Sequence, residues 1–183
     1  MMIRPWKAVV FGLCLAVCGS CAAVPDPDQP APAAPPDRGQ FVDGGVNDFM
    51  EKRCGSLDCH GQIGRPLRLY SATGLRKTKP LEKFLDRPEG GTTPDEKSDN
   101  YLAVVYLEPE AIGLSHATDG AYRDFLLLKK PVGLPLGPDG YDGDGVRHKG
   151  GPVLRETGDP GYNCLVSWIR GAVATPDCVA ATF

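Results

Sequence analysis

One short segment constrains this chain more than any other feature. Cys54, Cys59 and His60 lie in the sequence Cys-Gly-Ser-Leu-Asp-Cys-His-Gly, directly after a short amphipathic stretch. Two nearby cysteines followed at once by a histidine can form a disulfide, bind a metal or hold a cofactor through sulfur. The choice depends on the compartment, because disulfides persist only where the surroundings are oxidising.

The N-terminus predicts export. Residues 1–20 carry Arg4 and Lys7 and no acid, continue through an apolar run from Ala8 to Val17, and end in small residues. A charged start, an apolar stretch of about 7–15 residues and a small-residue exit describe a secretory signal peptide. The apolar run is too short to span a bilayer, which takes about 20 residues. We therefore expect an oxidising envelope compartment.

The end of the signal predicts a lipid anchor. Residues 18–21, Cys-Gly-Ser-Cys, resemble a bacterial lipobox, in which small residues precede the cysteine that receives diacylglycerol. The sequence departs from that pattern at Cys18, where the family usually has leucine or another aliphatic residue. We expect lipidation of Cys21, which would place the protein at a membrane surface facing the periplasm or the cell exterior. The alternatives are cleavage before Cys18 and ordinary cleavage near Ala22, which leaves a soluble protein.

A proline-rich tether precedes one folded domain. Residues 21–38 are extended and without a core of their own, because proline fixes φ and removes a hydrogen-bond donor. Residues 39–183 have the size of a single domain. The net charge is −3 at pH 7 and becomes more negative when the signal peptide is lost. An acidic chain argues against nucleic acid as a partner.

The apolar pattern predicts a mainly α domain with long loops. Apolar residues recur at helical spacing in four segments: residues 43–53, Pro94 to about Pro109, Asp119 to Lys130, and a segment from Pro160 to near Gly171. Asp159 suits the N-cap of the last helix. No convincing alternating strand is present. The 23 Gly and 18 Pro indicate long loops, the longest of them over residues 131–151.

The domain contains four cysteines: Cys54, Cys59, Cys164 and Cys178. An even number in an exported domain ordinarily indicates disulfides, here Cys54–Cys59 and Cys164–Cys178. A zinc site is disfavoured, because adjacent Cys59 and His60 point in different directions and the later cysteines are over a hundred residues away. A catalytic thiol is disfavoured by the oxidising compartment. A disulfide between Cys54 and Cys59 does not explain why a histidine follows Cys59 directly.

The position of His60 directly after Cys59 favours the interpretation that the motif binds haem covalently. Haem c attachment takes two thiols that add across the vinyl groups and an imidazole, directly after the second cysteine, that reaches the iron. The common spacing is Cys-x-x-Cys-His, whereas Cys-x4-Cys-His resembles a minority variant among c-type cytochromes. One haem c would then be anchored by Cys54 and Cys59, with His60 as its proximal ligand. Gly61 would let the backbone approach the flat cofactor, and Cys164 and Cys178 would form a disulfide.

A longer pattern over residues 41–172 resembles the cytochrome c-like haem domains of environmental bacteria. Its parts here are Leu127-Leu128-Lys129-Lys130-Pro131, His148-Lys149-Gly150-Gly151 and Trp168-Ile169. The resemblance implies a cytochrome c-like helical domain in which the first and last helices cross while loops wrap the haem. It favours His148 over His116 as the second metal ligand. Met50, the one methionine after the signal, is expected on the wrong side of the motif to reach the iron.

The resemblance implies an envelope-anchored monohaem c-type cytochrome in one-electron transfer, not an enzyme. Redox proteins are the expected partners, and the lipid provides the membrane contact. Arg65 and Arg68 follow the motif and would pair with the haem propionates or form a docking face for an acidic redox partner. The alternative is a cofactor-free, disulfide-stabilised lipoprotein that acts as a binding or structural module. A haem enzyme or sensor would need an open iron position.

Overall fold

The protein is represented by a computed structural model, which describes residues 34–77, 90–117, 120–132, 146–154 and 158–183. The expected signal peptide, the lipidation site Cys21 and most of the tether lie outside the described residues. Most of the expected loop over residues 131–151 does so as well. Among the helices that are described, none is both long enough and apolar enough to cross a membrane.

The described residues form α-helices and a single 3₁₀ helix, without a β-strand, and confirm the prediction of a mainly α domain. Tyr70 and Leu75 form an isolated β-bridge. The 3₁₀ helix, Ala121–Asp124, lies between α4 and α5. The α-helices are α1 (Arg38–Asp43), α2 (Val46–Arg53), α3 (Pro94–Val105), α4 (Pro109–Ala117), α5 (Leu126–Val132), α6 (Pro160–Ile169) and α7 (Thr175–Thr182).

Helix starts agree best with the sequence where capping side chains fix them. At α3, Thr93 and Glu96 form a reciprocal capping box, and proline occupies the first turn. At α6, the Asp159 carboxylate accepts a hydrogen bond from the Gly161 backbone N–H at 2.8 Å. Both helices therefore begin where the sequence predicts.

Two predicted helices are divided in the structure. The segment over residues 43–53 is interrupted after α1, because Gly45 has a φ of 93°, a left-handed conformation that ends one helix before α2 begins. The segment from Asp119 to Lys130 is interrupted at Phe125, whose extended backbone separates the 3₁₀ helix from α5. Apolar periodicity alone does not reveal either interruption.

An aromatic cluster forms part of the core. The Phe41 ring centroid lies 5.1 Å from that of Trp168 and 5.6 Å from that of Tyr101. The buried Trp168 donates its Nε1–H to the Asp37 carbonyl at 2.8 Å, and the Tyr101 hydroxyl donates to the Pro36 carbonyl at 3.1 Å. Pro36 and Asp37, which were assigned to the tether, therefore contact the helical domain.

Helix α2 packs against the C-terminal helices α6 and α7. The close approach requires Gly161, because a Cβ there would lie 2.5 Å from the Phe49 ring. The expected disulfide is present and joins Cys164 of α6 to Cys178 of α7. The C-terminal end of α2, which leads into Cys54, is thereby held against the end of the chain.

A buried ion pair connects the loop after the motif to α3. Arg76 and Glu96 are 8% and 0% exposed, and Arg76 Nε lies 3.0 Å from Glu96 Oε1. The Lys77 backbone N–H also donates to Glu96, at 2.7 Å. Burial acts to raise the pKa of Glu96, but the hydrogen bonds from Arg76 and from backbone N–H groups outweigh it, so that this pKa is lowered.

Glu96→Gln is expected to lower the free energy of unfolding by about 3–5 kcal/mol, because the buried Arg76 guanidinium loses the negative charge that it faces. Urea denaturation of the variant and the wild type measures this difference in the free energy of unfolding. Asp99→Asn is the matched control: it breaks the exposed Lys77–Asp99 pair, which should cost less than about 1 kcal/mol. Since the pKa of Glu96 is lowered in the fold, the wild-type advantage is full near pH 7 and shrinks as the pH falls through that value. Equal losses of stability in the two variants would contradict the assignment of Arg76 and Glu96 as a buried ion pair.

Candidate functional site

The residues around the cysteines and His60 form a compact loop at the C-terminal end of α2. The backbone N–H of His60 donates to the Cys54 carbonyl at 2.9 Å. The N–H groups of Cys59 and Gly61 both donate to the Ser56 carbonyl, at 3.0 and 2.9 Å. These bonds bring the two cysteines and the histidine to the wall of one cavity.

Crowding within the backbone explains the glycine after the histidine. A Cβ at Gly61 would lie 2.2 Å from the Gly55 carbonyl oxygen and 2.8 Å from the Gly74 Cα. These close neighbours are backbone atoms. Gly61 therefore shapes the loop that carries the cysteines.

Gly61→Ala is expected to lower the free energy of unfolding by about 1–3 kcal/mol, because the new methyl group meets rigid backbone atoms. Gly91→Ala is the control, since a Cβ at Gly91 meets nothing within 4 Å, and it should change stability by less than about 0.5 kcal/mol. Chemical denaturation of the two variants measures the difference. If Gly61→Ala were as stable as Gly91→Ala, the claim that backbone atoms crowd position 61 would be wrong.

Cys54 and Cys59 carry free thiols, whereas Cys164 and Cys178 are bonded. The alternative disulfide between Cys54 and Cys59 is not formed in this structure. Burial, followed by the nearby Cys59, raises the pKa of the Cys54 thiol to about 12. The Cys54 thiol is thus protonated at neutral pH, which is unlike the thiolate that a catalytic cysteine needs.

The structure brings His60 and His148 together from distant parts of the chain. Their ring centroids are 5.9 Å apart and their planes differ by 24°. A metal–imidazole bond is about 2 Å long, so two imidazoles on one metal ion have centroids on the order of 6 Å apart. The separation also fits an ordinary aromatic pair, about 4.5–7 Å. The hydrogen bonds of the two rings show which nitrogen of each is available to a ligand.

Each ring is bonded to a backbone carbonyl through Nδ1. His60 Nδ1 lies 2.8 Å from the Leu67 oxygen, and His148 Nδ1 lies 2.6 Å from the Gly151 oxygen. A carbonyl oxygen only accepts, so Nδ1 carries the proton in both rings, and in the neutral form of each ring Nε2 carries the lone pair. Metal-ligating histidines are oriented in this way by a carbonyl or carboxylate on the other nitrogen.

Local electrostatics favours a neutral His60. Burial lowers its pKa most strongly, against the hydrogen bond to the Leu67 carbonyl, which raises it. The positive charges of Arg65 and Lys130 lower the pKa further, as does the neighbouring His148. At neutral pH the His60 imidazole therefore keeps the lone pair that a metal ion requires.

The segment around His148 is fixed by the other segments of the sequence pattern. The Pro131 carbonyl accepts hydrogen bonds from the N–H groups of Val153 and Leu154, at 2.8 and 3.0 Å. The His148 carbonyl accepts from Gly151 N–H at 2.9 Å, and Gly151 has a φ of 85°, which favours glycine. The Lys-Pro and His-x-Gly-Gly segments, distant in sequence, thus form one wall of the cavity.

The cavity has a volume of about 460 Å³, within the range of about 300–1,000 Å³ for small-molecule and cofactor sites. Its wall is mostly apolar and contains both histidines and both free cysteines. The apolar side chains of the wall are Phe49, Met50, Pro66, Leu67, Leu107, Leu126, Leu127, Pro131, Val153, Leu154 and Leu165. This donor set fits a flat apolar cofactor that is held by two thiols and two imidazoles.

Two features of the cavity differ from the sequence analysis or were missed by it. Met50, which was expected on the wrong side of the motif to reach the iron, lines the same cavity as the two histidines. The carbonyls of Leu67 and Gly151 orient the histidines, and backbone groups leave no residue signature. Of the groups that orient the histidines, only Gly151, three residues after His148, stood out in the sequence. His116 lies in α4, not in a loop.

In the part of the chain that the structure describes, no three His, Cys, Asp or Glu side chains are grouped as a metal-ion site. Two imidazoles and two thiols are instead distributed along the cavity wall. Comparisons of this chain with protein-family models, with curated proteins and with solved structures find no match. The function of this chain is therefore inferred from its own residues.

Proposed function

We propose that this protein is a monohaem c-type cytochrome of the cell envelope and that it transfers single electrons. The observation that carries the proposal is the His60–His148 pair. Both rings line one cavity, and both have Nδ1 bonded to a backbone carbonyl, so that the neutral form of each carries its lone pair on Nε2. The free thiols of Cys54 and Cys59 line the same cavity.

Each part of the cavity has a separate role in this proposal. Cys54 and Cys59 would hold one haem c through thioether bonds, while His60 and His148 would bind its iron. When bound, the haem supplies an iron that gains and loses one electron. The carbonyls of Leu67 and Gly151 hold the imidazoles in the ligating tautomer, and the apolar wall excludes water.

Two imidazole ligands favour electron transfer over catalysis. A haem enzyme or sensor needs an open iron position, whereas His60 and His148 together would occupy both axial positions. Two nitrogen ligands also lead to a lower potential than a histidine and a methionine do. Lipid on Cys21 and the proline-rich tether would hold the domain near a membrane, within reach of redox partner proteins.

The test is an anaerobic redox titration of the full chain after expression with a cytochrome c maturation system. We expect a low-spin haem spectrum and a reversible step that fits one electron. A Cys54→Ser/Cys59→Ser double variant, matched in every other residue, should be colourless after denaturation and extraction. A wild-type chain that carries no haem would contradict the proposal and favour the cofactor-free lipoprotein.

A further inference from the structure

Two arginines follow the motif, and the structure separates them. Arg65 is half-buried and lines the cavity that contains His60 and His148. Arg68 is exposed, is not among the described residues that line the cavity, and has its guanidinium 5.7 Å from the centroid of the Tyr70 ring. Only the first of the two is positioned to meet a ligand in the cavity.

Arg65 has a donor that the described residues do not satisfy. Its Nε is buried and has no hydrogen-bond partner among them. Its Nη2 is 3.5 Å from the Asp58 carbonyl, at the long limit of a hydrogen bond. A buried donor without an acceptor costs about 1–3 kcal/mol. Such groups are rare in folded proteins and call for an explanation, of which an acceptor on a bound ligand is one.

The charges around the cavity point to an anionic ligand. Among the described residues that line it, Asp58 is the only acid, although the chain as a whole has a net charge of −3. Surface lysines elsewhere, such as Lys77, Lys97 and Lys129, each pair with an aspartate. The cations of the cavity wall are Arg53, Arg65, Lys130, Arg147 and Lys149.

We propose that Arg65 binds the propionate carboxylates of the haem. The inference depends on the proposed function, because it assigns a residue to that same cofactor. A guanidinium matches a carboxylate with two parallel N–H donors. A carboxylate in the cavity would also give Arg65 Nε an acceptor. Arg65 is then a positioning residue that also adjusts the electrostatics of the site.

The test compares four haem-loaded full-length proteins by spectroelectrochemical titration at several pH values: wild type, Arg65→Met, Arg65→Lys and Arg68→Met. In Arg65→Met the midpoint potential should fall, because a nearby cation favours the reduced state. The pH-dependent step of the potential should move to higher pH, because an ionised propionate loses its cation. Arg65→Lys should lie between this variant and the wild type. Arg68→Met should behave as the wild type.

Each outcome decides the assignment. A higher-pH step in Arg65→Met but not in Arg68→Met supports it. Identical behaviour of the two methionine variants overturns it, and so does a lower potential without movement of the pH step. If Arg65→Met does not load haem, Arg65→Lys carries the test, and a step at the wild-type pH overturns the assignment. A wild-type chain without covalent haem overturns the proposed function and this inference together.

Discussion

Replacing Cys59 with serine is expected to remove most of the covalently bound haem, because a hydroxyl does not form the thioether that a thiol forms. Cys59 lies next to His60 in a loop that closes through the Ser56 carbonyl. The remaining thiol, on Cys54, would hold any residual haem through a single bond. Intact mass and the absorbance that stays with the denatured polypeptide measure the loss. Unchanged covalent haem would remove Cys59 from the attachment site.

The control for thiol loss is the Cys164→Ser/Cys178→Ser double variant. These cysteines form the disulfide between α6 and α7 and do not line the cavity. The double variant should keep its covalent haem while losing about 3 kcal/mol of stability, since the disulfide closes a loop with a sequence separation of 14. Loss of haem in both variants would indicate that folding, not attachment, was affected.

His148→Ala is expected to convert a low-spin haem spectrum to a high-spin one, because one of two axial nitrogen ligands is removed. The His148 ring faces His60 at 5.9 Å and is oriented by the Gly151 carbonyl. Added imidazole should restore the low-spin spectrum by entering the space of the missing side chain. Absorption and electron paramagnetic resonance spectra measure both changes.

Two further variants show whether another residue supplies the ligand. Met50→Leu preserves the apolar wall of the cavity but removes the thioether, and His116→Ala removes the remaining histidine. Both should keep the low-spin spectrum of the wild type. A high-spin spectrum in either variant, with His148→Ala unchanged, would transfer the ligand role to that residue.

The sequence predicted the fold best where local chemistry decides it. The capping box at Thr93 and the N-cap at Asp159 start two helices where expected. The sequence did not predict that Pro36 and Asp37, assigned to the tether, accept hydrogen bonds from Tyr101 and Trp168. Contacts over more than sixty residues leave no local pattern in a proline-rich stretch. The buried Arg76–Glu96 pair was not predicted for the same reason, since no spacing rule indicates it.

The candidate site was predictable in its residue types and not in its geometry. Cysteine and histidine spacing identified the loop around His60, and a glycine-rich segment identified His148. Their proximity required a tertiary structure, since 88 residues separate them in the sequence. The sequence did not show that Met50 lines the cavity, because an apolar helix position does not indicate which cavity it borders. The sequence offered Arg65 and Arg68 as equals, and only burial distinguishes them.

A pyridine haemochrome spectrum combined with intact mass tests the central claim most directly. The sample is the wild-type chain, expressed with a cytochrome c maturation system. The account predicts a haem c band and a mass increase of one haem over the processed polypeptide. A colourless protein, lighter by two hydrogens for each disulfide, would contradict it. Cys54 and Cys59 would then form a structural bridge, and the electron-transfer function would be wrong.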